Sequence, residues 1–200
     1  MDAALELLWQ ESYGAVTIDD ICKRADVKKG SFYYFFQSKV DLSVAALDRM
    51  WAEEWKPRLD SQFSSSTLPL DRIRAYLGSI YQRQIDAKKR TGKVLGCPLA
   101  SVGTEVCVCD EEARVSEKIR EIFARKRRYL ESAIRDAMAE GYIEQGDAAQ
   151  VAVLLVSFIE GLMFQARIMN DPGILKNVTE LGMEILRVKS ARPAAAAHVS

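Results

Sequence analysis

The groups in this 200-residue chain with the most chemistry to offer lie close together, in Lys28-Lys29-Gly30-Ser31-Phe32-Tyr33-Tyr34 and at Lys39. Ammonium, hydroxyl and phenol groups at this spacing suit the phosphate oxygens and base edges of duplex DNA. Gly30, in the first turn of a helix, costs roughly 1 kcal/mol against alanine, yet it lets a backbone come close to a phosphate. The hydroxyls of Tyr33 and Tyr34 can bond phosphates while their rings pack sideways. Lys29 and Ser31 are the better candidates for base edges, and Lys39 for another phosphate. Catalytic constellations are thin by comparison. His198 is the single histidine and lies two residues from the end, so a histidine base, a Ser-His-Asp triad and a histidine-rich metal site are excluded. The carboxylates Glu105, Asp110, Glu111 and Glu112 read as a loop and the first turn of a helix, where acids favour the dipole. No enzymatic activity, metal or cofactor is expected.

Two short helices must position these groups. Thr17 is a good N-cap, with Asp20 three residues on, and Ile18, Ile21, Cys22 and Ala25 then form one apolar stripe. The break comes at Asp26-Val27-Lys28. A second helix follows with Val27, Phe32 and Phe36 facing inward and Lys28, Lys29, Ser31, Tyr33 and Tyr34 outside. A preceding helix over 2–12, with Ala4, Leu5, Leu8 and Trp9 on one face, completes a three-helix head. A long helix over 38–62 then links this head to the rest, with Pro57 implying a kink or break.

The run Thr17-Ile18-Asp19-Asp20-Ile21, with Ala25, Val27, Lys29-Gly30-Ser31-Phe32-Tyr33, Phe36 and Ser38-Lys39, resembles the helix-turn-helix signature of the TetR-family transcriptional regulators. It covers about the first fifty residues; the remainder resembles the family in length and helical layout. The resemblance implies an all-α homodimer, with an N-terminal three-helix DNA-binding domain (1–45) and a C-terminal helical ligand-binding and dimerisation domain (46–190). It implies DNA contacts from Thr17, Lys28, Lys29, Gly30, Ser31, Tyr33, Tyr34 and Lys39, with double-stranded operator DNA and a small-molecule effector as partners. Phe35 stands where the family frequently has histidine. Family members usually carry a basic arm ahead of the point where this chain starts, so weak binding to non-specific DNA is expected.

Charge neither supports nor opposes this. Lys plus Arg equals Asp plus Glu at 28 each, and the first fifty residues carry six bases against eight acids, although Lys28, Lys29 and Lys39 cluster. A hydrophobic share of 48% with five prolines marks a globular chain. No run of about 18 uninterrupted apolar residues predicts a membrane span. The start MDAALELLW lacks a basic n-region, and four cysteines show no pairing pattern, so a reducing, cytoplasmic setting is expected.

After the Ser61–Pro69 boundary, helices are predicted over 70–88, 95–106, 111–141, 147–169 and 172–188, then a frayed tail over 191–200. Apolar residues cover most of the 147–169 helix, and one face of it must be buried elsewhere. Dimerisation through the last two helices is expected, by Val151, Leu155, Ile159, Leu162, Val178, Leu181 and Ile185, the alternative being that one chain satisfies all this surface internally. Pocket candidates are Tyr76, Tyr81, Phe123, Phe158, Met163 and Phe164, against the plain reading that each is core. Arg83 or Arg167 could meet a carboxylate ligand, surface exposure being the plainer reading. Arg125-Lys126-Arg127-Arg128 reads as a solvated helix face. Cys97, Cys107 and Cys109 are either small buried hydrophobes or, at least one of them, a redox- or electrophile-sensing thiol. The functional readings are therefore an effector-released repressor, a thiol switch on the same scaffold, or a helical ligand-binding protein with a vestigial reader.

Overall fold

The computed structural model describes residues 1–106 and 111–189, and all regular structure among them is helical. The head consists of α1 (Asp2–Gln10), α2 (Ile18–Arg24) and α3 (Lys29–Phe35). Next come α4 (Lys39–Met50), a π-helical turn at Trp51–Trp55 and α5 (Lys56–Gln62). The body adds α6 (Pro69–Thr91), α7 (Pro98–Gly103), α8 (Ala113–Ala139), α9 (Ala148–Ile168), a 3-10 turn at Pro172–Leu175, and α10 (Val178–Ile185).

Local chemistry sets the boundaries. Thr17 Oγ1 accepts from Asp20 N at 3.2 Å, and Asp20 Oδ2 accepts from Thr17 N at 2.9 Å, so two orphan donors of α2 are satisfied reciprocally. Ser38 caps α4 through Asp41 N at 3.1 Å, and Asp147 caps α9 through Ala149 N at 2.9 Å. Pro57 does not break its helix. The π turn widens the backbone just ahead of it, and a proline in the first turn of α5 displaces no hydrogen bond that α5 needs. The 45/46 boundary drawn from sequence therefore falls inside an uninterrupted α4, and one hydrophobic cluster runs from Ala4 in the head to Leu186 beyond α10.

Helix α9 packs on α8, and the two form the largest helix pair of the body. Its buried residues Ala148, Ala152, Leu155, Ile159, Met163 and Ala166 make one stripe at helical spacing. Leu154, Ser157, Gly161, Phe164 and Ile168 make a second, solvent-facing stripe with the same three-and-four rhythm. Among the described residues α9 alone is long and apolar enough to cross a membrane by length and composition, although Ser157, Glu160 and Gly161 interrupt its apolar run. Gly182 of α10 sits where an added Cβ would come 2.7 Å from Leu77 Cδ1, so any larger residue there would force the Leu77 side chain to move.

Candidate nucleic-acid interface and effector cavity

Helix α3 is anchored by one side chain. Phe32 is buried and packs edge-on to Tyr33 and tilted against Phe36, with centroids 5.1 and 5.8 Å apart. Everything else on α3 faces water: Lys29, Gly30, Ser31, Tyr33, Tyr34 and Phe35, with Lys28 just ahead. Tyr34 is 83% exposed, and a Cβ at Gly30 would meet nothing within 4 Å. This leaves a ridge of hydroxyls, phenols and ammonium groups whose backbone is open to close approach.

Several expectations for the head need correction. Val27 was expected inside but is exposed. Asp26 adopts a left-handed φ of 52° and closes α2, with Val27 N–H donating to Cys22 O at 3.0 Å and Asp26 N–H to Lys23 O at 3.3 Å. Lys39 was expected to meet phosphate, but its ammonium turns inward. It donates to Tyr13 O at 2.7 Å and Val16 O at 3.1 Å and lies 4.2 Å from the Tyr13 ring centroid. Burial holds its pKa below the usual lysine value. Lys39 therefore ties the α1–α2 loop to α4. The Thr17 hydroxyl is likewise committed, to the capping box with Asp20, so Thr17 positions α2. Lys29 stays on the surface with its Nζ 2.8 Å from Asp19 Oδ1, a pairing that keeps the ammonium charged.

The second feature is a cavity of about 750 Å³ between head and body. From the head come Leu5, Trp9 and Arg24; from the connecting helix Met50, Trp55 and Arg58; from α6 Tyr76, Ile80 and Arg83; and from α8 and α9 Lys126 and Met163. A loop over 92–97 closes one wall. Gln84 pins it through both its amide atoms, donating to Gly96 O at 3.0 Å and accepting from Gly96 N at 2.9 Å, and the Trp9 indole N–H donates to Leu95 O at 3.1 Å.

Of the pocket candidates, Tyr76 and Met163 line this cavity; Tyr81, Phe123, Phe158 and Phe164 do not. Each helical step turns a side chain by about 100°, which carries Tyr81 off the wall formed by Ile80. The same step takes Phe164 from the wall at Met163 to the outside of α9, where it is 63% exposed. Of the cations of the wall, Arg83 was named from sequence as a possible carboxylate contact, whereas Arg58 and Lys126 were not. Arg58 reads in sequence as one charge on an amphipathic helix and Lys126 as part of a solvated run, and only the spatial convergence of three helices distinguishes them. Arg83 lies on the wall, whereas Arg167 braces the loop from outside, donating to Leu95 O at 3.2 Å and to Ser101.

Cys97 also lines the cavity, but burial pushes its thiol pKa up to about 11, the reverse of what a reactive thiolate needs. Cys97 is buried, at 6% exposure, as the plain reading of a small core residue expects. Cys107 and Cys109, like the 191–200 tail, lie outside the described residues.

The expected dimer residues divide. Leu155, Ile159 and Val178 are buried in the protomer's own core and cannot meet a partner. Val151, Leu162 and Ile185 are half-buried, and Leu181 is exposed. The open apolar face is carried instead by Val153, Leu154, Phe164 and Ile168 beside Leu181, with Gly161 opening onto free space.

Residues 1–46 match the family described as bacterial regulatory proteins of the tetR family, and residues 69–181 match the tetracyclin repressor-like C-terminal domain. The chain is 31% identical over 109 residues to the HTH-type transcriptional repressor NemR of Escherichia coli strain K12, covering 54% of this chain and 53% of that one. It is 30% identical over 115 residues to the transcriptional regulator AcuR of Cereibacter sphaeroides, covering 57% and 50%. The chain thus matches about half the length of each of these curated relatives. The crystal structure of regulatory protein TetR from Rhodobacter sphaeroides superposes with a TM-score of 0.78 at 26% identity, over 92% of this chain and 95% of that one.

Proposed function

The chain belongs to the TetR family of bacterial regulatory proteins, and from that premise we propose that it is a homodimeric, DNA-binding transcriptional repressor released by a small molecule. The observation that carries the reading is the outward face of α3, where Lys28, Lys29, Gly30, Ser31, Tyr33 and Tyr34 stand in water on a helix held by Phe32. Lys29 and Ser31 meet base edges in the major groove. Lys28, Tyr33 and Tyr34 meet phosphates and set the register. The two-striped α9 supports a twin subunit docked on Leu154, Gly161, Phe164 and Ile168. Two α3 helices then lie in successive major grooves, about 34–36 Å apart.

The cavity supports the release step. Because Leu5 and Trp9 of α1 form part of its wall, a ligand touches the head directly as well as the body. A ligand that fits only one head-to-body arrangement shifts the population toward it, and the spacing of the two readers changes with that population. Gly14 N–H donating to Glu105 Oε2 at 2.9 Å joins the same two units, and ion pairs Asp41–Arg114 at 2.5 Å and Asp48–Lys118 at 2.9 Å tie the connecting α4 to α8.

The test is a gel shift with the DNA upstream of the protein's own gene, run with sizing of the free protein. A shift at a defined palindromic site by a dimer is expected. A monomer that shifts neither this DNA nor random DNA at low salt would overturn the reading.

A further inference from the structure

The cavity is charged in an unbalanced way. Arg83 lies on its wall with a single hydrogen bond, from Nη1 to Ser79 Oγ at 2.7 Å, and no carboxylate forms an ion pair with it among the described residues. Arg58 also faces the cavity without an ion pair among the described residues, and its charge reaches Arg83. Lys126 comes no closer than 3.9 Å to Glu160, and its ammonium instead lies over the Trp55 and Phe123 rings at 4.8 and 5.4 Å.

The acids on the same wall do not restore the balance. Glu6 is paired with Arg24 at the rim, at 3.1 Å, and Asp86 accepts from Gln82 at 3.1 Å. Glu54 lies within electrostatic reach of Arg58. Glu160, beside Lys126 but not part of the wall, is held toward its neutral form by burial and leaves Oε2 without a hydrogen bond. Desolvation, reinforced by the Arg58 charge, lowers the Arg83 pKa to about 10, which still leaves the guanidinium charged at neutral pH. A half-buried cation cluster without its counter-charge is costly, and an incoming anion relieves that cost.

We infer that the cavity is built for an organic anion, with one carboxylate- or sulfonate-type head held by Arg83 between Arg58 and Lys126, and an apolar body against Trp55, Ile80 and Met163. The inference deepens the effector reading of this cavity and rests on it. A planar guanidinium fork matches a two-oxygen head, which an ammonium alone does not. Apolar walls and a few convergent charges are the ordinary division between affinity and orientation in a pocket of this size.

The experiment uses two probes that share an aromatic body and differ in charge: 8-anilinonaphthalene-1-sulfonate, an anion, and N-phenyl-1-naphthylamine, which is neutral. Each is titrated calorimetrically into the full-length protein and into Arg83→Gln, Arg83→Lys and Arg58→Gln. Arg83→Gln is expected to weaken the sulfonate by about tenfold or more, the scale of one charge-assisted hydrogen bond, and to leave the neutral probe within about twofold. Arg83→Lys should restore part of the loss. Unchanged sulfonate binding, or equal losses for both probes, overturns the inference. If Arg83→Gln alters the helical circular dichroism, Arg58→Gln carries the same comparison. A gel shift of the unliganded wild type separates the two levels. Charge discrimination without DNA binding sinks the regulator reading and leaves the anion site, whereas DNA binding without discrimination sinks the anion site alone.

Discussion

Lys29 and Arg83 carry the same charge into opposite surroundings. On the head, Lys29 stands in water with Asp19 as its neighbour at 2.8 Å, an exposed pair of the kind that contributes little and exchanges readily. In the body, Arg83 is half-buried with one hydroxyl for company and no acid paired to it among the described residues. On the proposed reading, Lys29 gives up this exposed partner for a base edge at little cost, because the pair contributes little to begin with. The cavity leaves its cation without a paired acid among the described residues, so on the proposed reading an anionic ligand gains there what a neutral one does not. On the proposed function, one region suits exchange and the other selection.

The largest separation of the two regions should come from the outer stripe of α9. Leu154→Glu combined with Phe164→Glu places like charges on the proposed twin contact. Operator affinity is expected to fall about 100-fold or more through loss of bivalent binding, while probe binding in the cavity persists; a gel shift beside calorimetry reads both. Lys39→Ala comes next. Because the ammonium satisfies Tyr13 O and Val16 O, its loss should lower stability by about 1–2 kcal/mol, seen in thermal denaturation, without changing the salt slope of DNA binding. A flattened slope at unchanged stability would return Lys39 to the DNA face.

Lys28→Ala tests that face itself. All DNA sequences should weaken alike, and the salt slope should fall by about one phosphate contact; selective loss at one base pair would move Lys28 from positioning to readout. The smallest effect is expected from Asp19→Asn, which releases Lys29 from its neighbour. Binding to random DNA should tighten a few-fold at low salt, and a competition titration would show it. If it weakens instead, Asp19 is orienting Lys29 and is not merely a partner given up on binding.

What could be read from sequence follows from which physical rules are local. The reader face of α3 was legible because Phe32 and its exposed neighbours obey the helical period, and Thr17-x-x-Asp20 announced α2 through a cap that acts within one turn. Val27 and Lys39 were misplaced because their directions depend on the left-handed Asp26 and on carbonyls 23 and 26 residues away. The same limit appears in α9. That it is apolar around much of its circumference is a local fact. That Leu155 and Ile159 belong to the inner stripe and Phe164 to the outer depends on where α8 lies. Pro57 signalled a disruption correctly in kind, but a π turn absorbed it and the helix continued. The cavity cations were hardest, since Arg58, Arg83 and Lys126 come from three helices and each alone looks like an ordinary surface charge.

The chain has three tryptophans, and all of them gather where head meets body. Trp9 donates to Leu95 O, Trp51 lies under Arg125 with the guanidinium carbon 5.4 Å from its ring, and Trp55 lies under Lys126. No indole elsewhere in the chain dilutes the signal. The molecule therefore carries a native optical gauge of its own junction: on the proposed reading, a ligand filling the space beside Trp9 and Trp55 should register in the ultraviolet emission of the unlabelled protein.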